Sequence, residues 1–146
     1  MSKVSIKAII IGGITDVVSS NILQIPLIAY ITFGLIKSGV AKDQLQPALL
    51  TAMKENSLYF ILGLAVGSFC SFLGGYISAK IAKHNEVLNG TLASFLCVGI
   101  SFYSMFSGAS QLPLWQHILY LLLSPALACF GGYVRYSQVN KLKKAA

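Results

Sequence analysis

The sequence predicts an all-α integral membrane protein, a four-transmembrane-helix bundle with the N- and C-termini both cytoplasmic. Three observations predict it. Four apolar stretches, at about residues 6–35, 57–79, 86–106 and 114–136, are each long enough to cross a hydrocarbon core of about 30 Å. Hydrophobic residues make up 55% of the 146 and charged residues only 10%, whereas a soluble domain carries about a quarter charged residues. The basic residues gather at the ends of the stretches and divide unequally between the two sides. A chain of this length holds about four membrane helices with short connections, so residues 1–146 are read as a single membrane domain.

The first stretch, from Ile6 to Leu35, is longer than a membrane requires: about 28–30 helical residues span roughly 42–45 Å. Tilt, a kink or protrusion absorbs the excess. Pro26 is the natural kink, because it cannot donate to the carbonyl of Ile22 and its ring crowds that turn. Lys3 and Lys7 before an apolar run also resemble a signal peptide. Asp16 interrupts that run, and no A-x-A site follows it, so the segment is expected to be retained.

Between residues 37 and 56 the chain turns polar. Leu45, Ala48, Leu49, Ala52 and Met53 have helical spacing, with Asp43 as expected N-cap and Pro47 in the first turn. This loop is read as a short amphipathic helix at the interface or an outward extension of the second membrane helix.

The second stretch carries a ribbon of small residues at every fourth position: Gly63, Gly67, Ser71, Gly75 and Ala79. In lipid, hydrophobicity does not drive helices together, and small side chains that let backbones approach do. The ribbon is therefore a helix-packing face, its partner lying within the chain or on another subunit. A tight turn over residues 80–85 follows, with Asn85 and Glu86 suited to open the third stretch. The connection over residues 107–114 carries no charge. In the fourth stretch Pro125 releases the carbonyl of Leu121, and Ser124, Ala128 and Gly132 form a second four-spaced small face.

Placing the N-terminus inside puts Lys3, Lys7, Lys80, Lys83, Arg135, Lys141, Lys143 and Lys144 in the cytoplasm. Only Lys37, Lys42 and Lys54 then lie outside, as the positive-inside rule requires. Tyr30, Tyr59, Tyr103 and Trp115 mark the outer interface, and Tyr76, Tyr133 and Tyr136 the inner one. The formal charge of +7 thus points to a lipid bilayer with anionic headgroups at the cytoplasmic face. It does not point to nucleic acid, since no soluble basic face exists for a duplex to dock on.

Little in the sequence supports catalysis. Cys70, Cys97 and Cys129 lie one to a helix with no C-x-x-C pair, and are read as small apolar packing residues. No phosphate-binding glycine loop, H-E-x-x-H or nucleophile elbow occurs. Lys83, His84 and Glu86 are read as capping and headgroup contacts; His84 and His117 fall on opposite sides and cannot share a metal. No cofactor and no metal site is expected.

Asp16 is the strongest chemical clue, the only acid deep inside an apolar stretch. Gly12, Asp16, Ser20 and Gln24 recur every fourth residue on one helical face, with Gly13 and Ser19 beside them. A carboxyl at membrane depth costs roughly 2.5–3.5 kcal/mol on the insertion scale, so this face should meet protein or water. Asp16, Ser19, Ser20 and Gln24 are the candidate site, for a proton or cation or for fixing helix register. Gly12 joins the small residues of the other helices as a packing position.

Leu73-Gly74-Gly75-Tyr76-Ile77 is echoed by Phe130-Gly131-Gly132-Tyr133-Val134, consistent with two helical hairpins related as a parallel repeat. Gly12-Gly13-Ile14-Thr15-Asp16, then Gly74-Gly75-Tyr76-Ile77-Ser78-Ala79-Lys80-Ile81-Ala82, then Glu86-Val87-Leu88-Asn89-Gly90 resembles small bacterial four-helix membrane proteins of unknown function. Their signature is GGY-x-A-(R/K)-x-A, a short basic turn and E-x-L-x-G. Leu112-Pro113-Leu114-Trp115, Pro125 and the second GGY extend the likeness over most of the chain, while Asn89 stands where such proteins often carry His. The resemblance implies fold, topology and a bacterial cytoplasmic (inner) membrane location, and supplies no activity.

Two functional readings follow. The first, placed ahead on the sequence, is a non-enzymatic protein that self-associates or serves as an accessory subunit of a membrane complex, with Asp16 fixing register. The alternative is a small proton- or cation-coupled transporter or channel using Asp16, which lies about 13 Å along the axis from Lys7 with no basic residue at its depth. Four helices with one carboxylate in the first also occur in small multidrug transporters, an analogy of architecture alone. An enzyme ranks last, because one carboxylate without a second acid, a base or a metal set supplies too little chemistry.

Overall fold

The computed structural model describes residues 4–107 and 113–145. Lys3 and Leu112, used above for orientation and resemblance, lie outside the described residues, as does most of the uncharged connection. Within them the chain is helical, with no strand: α1 (Ile6–Lys37), a 3-10 turn (Lys42–Gln44), α2 (Leu45–Glu55), α3 (Ser57–Ala82), α4 (Glu86–Ala93), α5 (Phe95–Phe106) and α6 (Leu114–Ala145). Four stretches are long and apolar enough to cross a membrane: α1, α3, α4 together with α5, and α6.

The sequence expectations need several adjustments. Helix α1, expected to end at Leu35, continues to Lys37 with Pro26 inside it. Asp43 is not the N-cap of α2; it sits in the 3-10 turn, and Gln44 takes the cap position without a side-chain bond. The third stretch is two helices, broken at Ser94. There the Ser94 N–H bonds to the Thr91 carbonyl at 3.2 Å and the Ser94 hydroxyl donates to the same oxygen at 2.8 Å, a local alternative that competes with the helical ladder. Helix α6 continues through the basic tail, which holds no glycine or proline to stop it, and the Tyr76 hydroxyl donates to Gln138 Oε1 at 2.9 Å across from α3.

Turn chemistry sets the remaining ends. Asn56 closes α2 and opens α3, its Oδ1 accepting from the Leu58 N–H at 3.0 Å. Lys83 (φ 57°) and Asn85 (φ 44°) both lie in the left-handed region, folding α3 back onto α4 within three residues. Asn89, fully buried, ties this turn to the start of the chain. Its Oδ1 accepts from the Ser5 N–H at 2.8 Å, and its Nδ2 donates to the carbonyls of His84 (2.9 Å) and Asn85 (3.1 Å). Every polar atom of that side chain is thus engaged, so its role is structural.

Helix α3 lies between α1 and α6, and α4 packs on both α3 and α6. Facing pairs fix the directions. Gly12 against Gly74 and Asp16 against Ser71 make α1 and α3 antiparallel; Ser71 beside Ser124 and Gly75 beside Ala128 make α3 and α6 parallel. Ser5 beside Asn89 and Asp16 beside Cys97 make α1 parallel to the α4–α5 stretch. The bundle is therefore up-down-up-down, with residues 4 and 145 at the same end.

Adjacent glycines organise that end. Neighbouring residues on a helix point about 100° apart, so a Gly-Gly pair opens a helix to two partners at once. A Cβ on Gly74 would meet the Asp16 Cβ at 2.8 Å and the Gly12 carbonyl at 2.8 Å, while one on Gly75 would collide with the backbone of Ala128. Gly131 and Gly132 repeat the arrangement from α6: Gly131 faces Phe72 and Tyr76 of α3, and Gly132 lies against Glu86 and Val87 of α4. Such close approach is what holds helices together in lipid.

Candidate functional site

One turn beyond the Gly12–Gly74 crossing, α1 delivers Asp16 into the middle of the bundle, 3% exposed. The carboxylate is held from three directions. Ser20, one turn along on the same helix, donates a long bond to Oδ1 at 3.4 Å. Ser71 of α3 donates to Oδ2 at 3.0 Å, and the Cys97 thiol of α5 points at the same oxygen at 3.1 Å. Ser124 of α6 stands 3.1 Å from the Ser71 hydroxyl. Because Ser71 gives its single proton to Asp16, Ser124 is the donor of that pair. Oδ2 is therefore saturated, whereas Oδ1 retains room for another partner.

Beyond Asp16 the helices separate around a partly open cavity of about 330 Å³. Its inner end is Asp16, Ser20, Ser71, Cys97 and Ser124; its far end is Met53 of α2 with Tyr59 and Phe60 at the start of α3. Gln24 lines it about 12 Å along α1 from Asp16. The walls between are mainly apolar, with Val98, Leu121, Leu123 and Leu127, and include Ser68, Ser101 and Tyr120.

The four-spaced ribbon of α3 divides at Ser71. On one side Gly75 is packed against Ala128 and Ala79 is fully buried. On the other, a Cβ at Gly63 or Gly67 would meet no atom within 4 Å, and both glycines line the cavity. Within this chain those two positions are space, not helix contact. In α6, Ala128 and Gly132 are buried at crossings, while Ser124 joins the polar site.

Of the four candidate site residues, Asp16, Ser20 and Gln24 come to one cavity. Ser19 does not: its hydroxyl donates back to the carbonyls of Thr15 (2.6 Å) and Asp16 (3.2 Å) on its own helix. Sequence reasoning missed Cys97 as a partner of the carboxylate, treating it as packing. Spacing held a signal for it, since Ala93, Cys97 and Ser101 share one four-residue register and the last two line the cavity. Nothing comparable marked Ser68 or Tyr120.

Fold and cavity together define the class, a multi-pass helical membrane protein whose polar site lies inside the bundle. No protein-family model, curated protein or solved structure matches the chain.

Proposed function

We propose that this is a small cation- or proton-coupled transporter or channel of the bacterial cytoplasmic membrane, with Asp16 as its binding group and both termini inside. The observation that carries the reading is the cavity: Asp16, although only 3% exposed, forms the inner end of about 330 Å³ of open space, which a role in helix register alone does not require. Gly63 and Gly67 leave that space free. The inside–outside assignment rests on the excess of Lys and Arg at the end holding residues 4 and 145. One carboxylate among hydroxyls and a thiol offers binding without a second acid or base, so the role is non-catalytic.

The test is flux in proteoliposomes. With an imposed membrane potential and a trapped pH-sensitive or cation-sensitive dye, wild-type protein should pass ions and Asp16→Asn should not. Equal traces from both, with Asp16→Asn correctly folded, would overturn the reading.

A specific observation also keeps the accessory or self-associating role in view. Helix α5 has no buried residue, Phe95, Phe102 and Phe106 are exposed on it, and Gly99 has open space over its Cα. A second copy or a partner helix seated there would account for that face. Cysteine crosslinking at Gly99→Cys in native membranes distinguishes the two: a crosslinked dimer supports association, and labelling by lipid-soluble probes alone rejects it.

A further inference from the structure

Resting on the proposed cation-binding role of Asp16, we infer that the occupant of the cavity is a protonated amine carrying an apolar or aromatic body, its ammonium at Asp16 and its body pointing toward Tyr59 and Phe60. Three features of the cavity argue for this class.

The inner end is built from acceptors suited to N–H donors. Among the described residues Asp16 Oδ1 has only the 3.4 Å bond from Ser20, and a carboxylate oxygen accommodates about two donors. The Ser20 and Ser124 oxygens retain acceptor capacity beside it. An ammonium brings three donors to such a cluster. A quaternary ammonium brings none, and would leave these oxygens facing methyl groups at the cost of desolvation.

The rest of the cavity suits an organic body better than a bare ion. Among the described residues no group of three or more His, Cys, Asp or Glu side chains could hold a metal. Leu121, Leu123, Leu127 and Val98 line the walls, and a volume of about 330 Å³ lies at the lower end of the range of small-molecule sites.

The far end is aromatic. Phe60 stacks edge-on with Trp115 at 5.4 Å and with Tyr120 at 6.3 Å between ring centroids. By helical rise Phe60 stands about 16 Å from the level of Ser71, and Tyr120 about 6 Å from Ser124. An elongated occupant with its charge at Asp16 therefore places its body along the leucines and its tip toward Tyr120 and Phe60, which line the cavity, with Trp115 backing Phe60.

A Ser101→Cys variant supplies the readout: position 101 lines the cavity one turn outward from Cys97, whereas Cys97 has its proton held by Asp16 and alkylates too slowly, Cys70 is fully buried and Cys129 does not line the cavity. Protein in lipid nanodiscs is alkylated with N-ethylmaleimide, and modification of each cysteine is followed by mass spectrometry of its peptide. Phenethylammonium should slow alkylation of the Ser101→Cys thiol and leave Cys129 unchanged. The neutral isostere 2-phenylethanol should protect about 10- to 100-fold less well, the difference made by a hydrogen-bonded charge. Sodium ion should give no protection.

Gly67→Leu, which fills the cavity and leaves the carboxylate intact, should abolish protection by phenethylammonium. It keeps the test informative if Asp16→Asn fails to fold. Equal protection by the amine and the alcohol would overturn the inference, as would protection by sodium alone or protection that persists in Gly67→Leu. If flux depends on Asp16 but no amine protects the Ser101→Cys thiol, the ligand class is wrong and the cation role stands; if neither depends on Asp16, both fall.

Discussion

The hydroxyl of Ser71 donates to Asp16 Oδ2 at 3.0 Å and accepts from Ser124 at 3.1 Å, so one side chain of α3 links α1 to α6. A serine at this point performs two tasks, orienting the carboxylate and joining the two outer helices through the central one. Hydrogen bonds between membrane helices are worth about 0.6 kcal/mol on average and up to about 1.7. Ser71→Ala should therefore lower unfolding free energy in bicelles by about 1 kcal/mol. It should also tighten the hold of Oδ2 on the Cys97 S–H, which shares that oxygen with Ser71, and lower the frequency of the S–H stretching band in the infrared. An S–H band unchanged from wild type would show that the carboxylate is held without Ser71.

The two halves of the α3 ribbon predict opposite responses to one methyl group. Gly75→Ala places a Cβ on the backbone of Ala128 and should destabilise the fold by at least about 1–3 kcal/mol, the range for overpacking. Gly63→Ala meets nothing within 4 Å and should be neutral or stabilise by up to about 1 kcal/mol through helix propensity. Parallel unfolding curves in the same detergent decide the matter. Equal losses would mean that Gly63 does pack, on another subunit.

Asn89→Ala removes three hydrogen bonds at a fully buried position and strands the Ser5 N–H and the His84 carbonyl, while the Asn85 carbonyl keeps the backbone N–H of residue 89. Buried unsatisfied groups cost about 1–3 kcal/mol each where water cannot replace the partner, so a loss of at least about 2 kcal/mol is expected. Amide exchange should accelerate first at Ser5 and across the 83–85 turn. A loss confined to global unfolding, with those amides still protected, would contradict the assigned role.

Tyr76→Phe tests the last turns of α6. Its hydroxyl bond to Gln138 is solvent-exposed, so the stability change should stay below about 1 kcal/mol. Amides beyond Gln138 should nevertheless exchange faster, because the bond pins a helix end that otherwise protrudes. No change in exchange would show that helix propensity alone carries the tail.

Much of this arrangement was legible in the sequence, and the illegible parts share a cause. Periodicity located four apolar helices because each hydrophobic run is long and bounded by charge. It placed Asp16, Ser20 and Gln24 on one face because 3.6 residues per turn is a property of the helix alone. Spacing could not tell Gly75 from Gly67, since both are small residues in the same register. Whether a small residue marks contact or space depends on how far the helices have diverged at that depth. Nor did it find the Ser94 break, where one hydroxyl outcompetes a ladder bond within an apolar run that looks continuous. Cys97 was hidden for a similar reason: a thiol reads as apolar until a carboxylate faces it.

The Gly-Gly pairs give the molecule the form of a stem and a cup. In the stem, at the level of Gly12, Gly74, Gly75 and Gly132, a single added carbon meets another helix's atoms. In the cup, from Ser71 outward, Gly63 and Gly67 face open space. Freedom to vary is thus partitioned by depth. Substitutions in the cup alter the space beside Asp16 while the stem keeps the four helices aligned, so the interior can be reshaped without disturbing the packing that folds the chain.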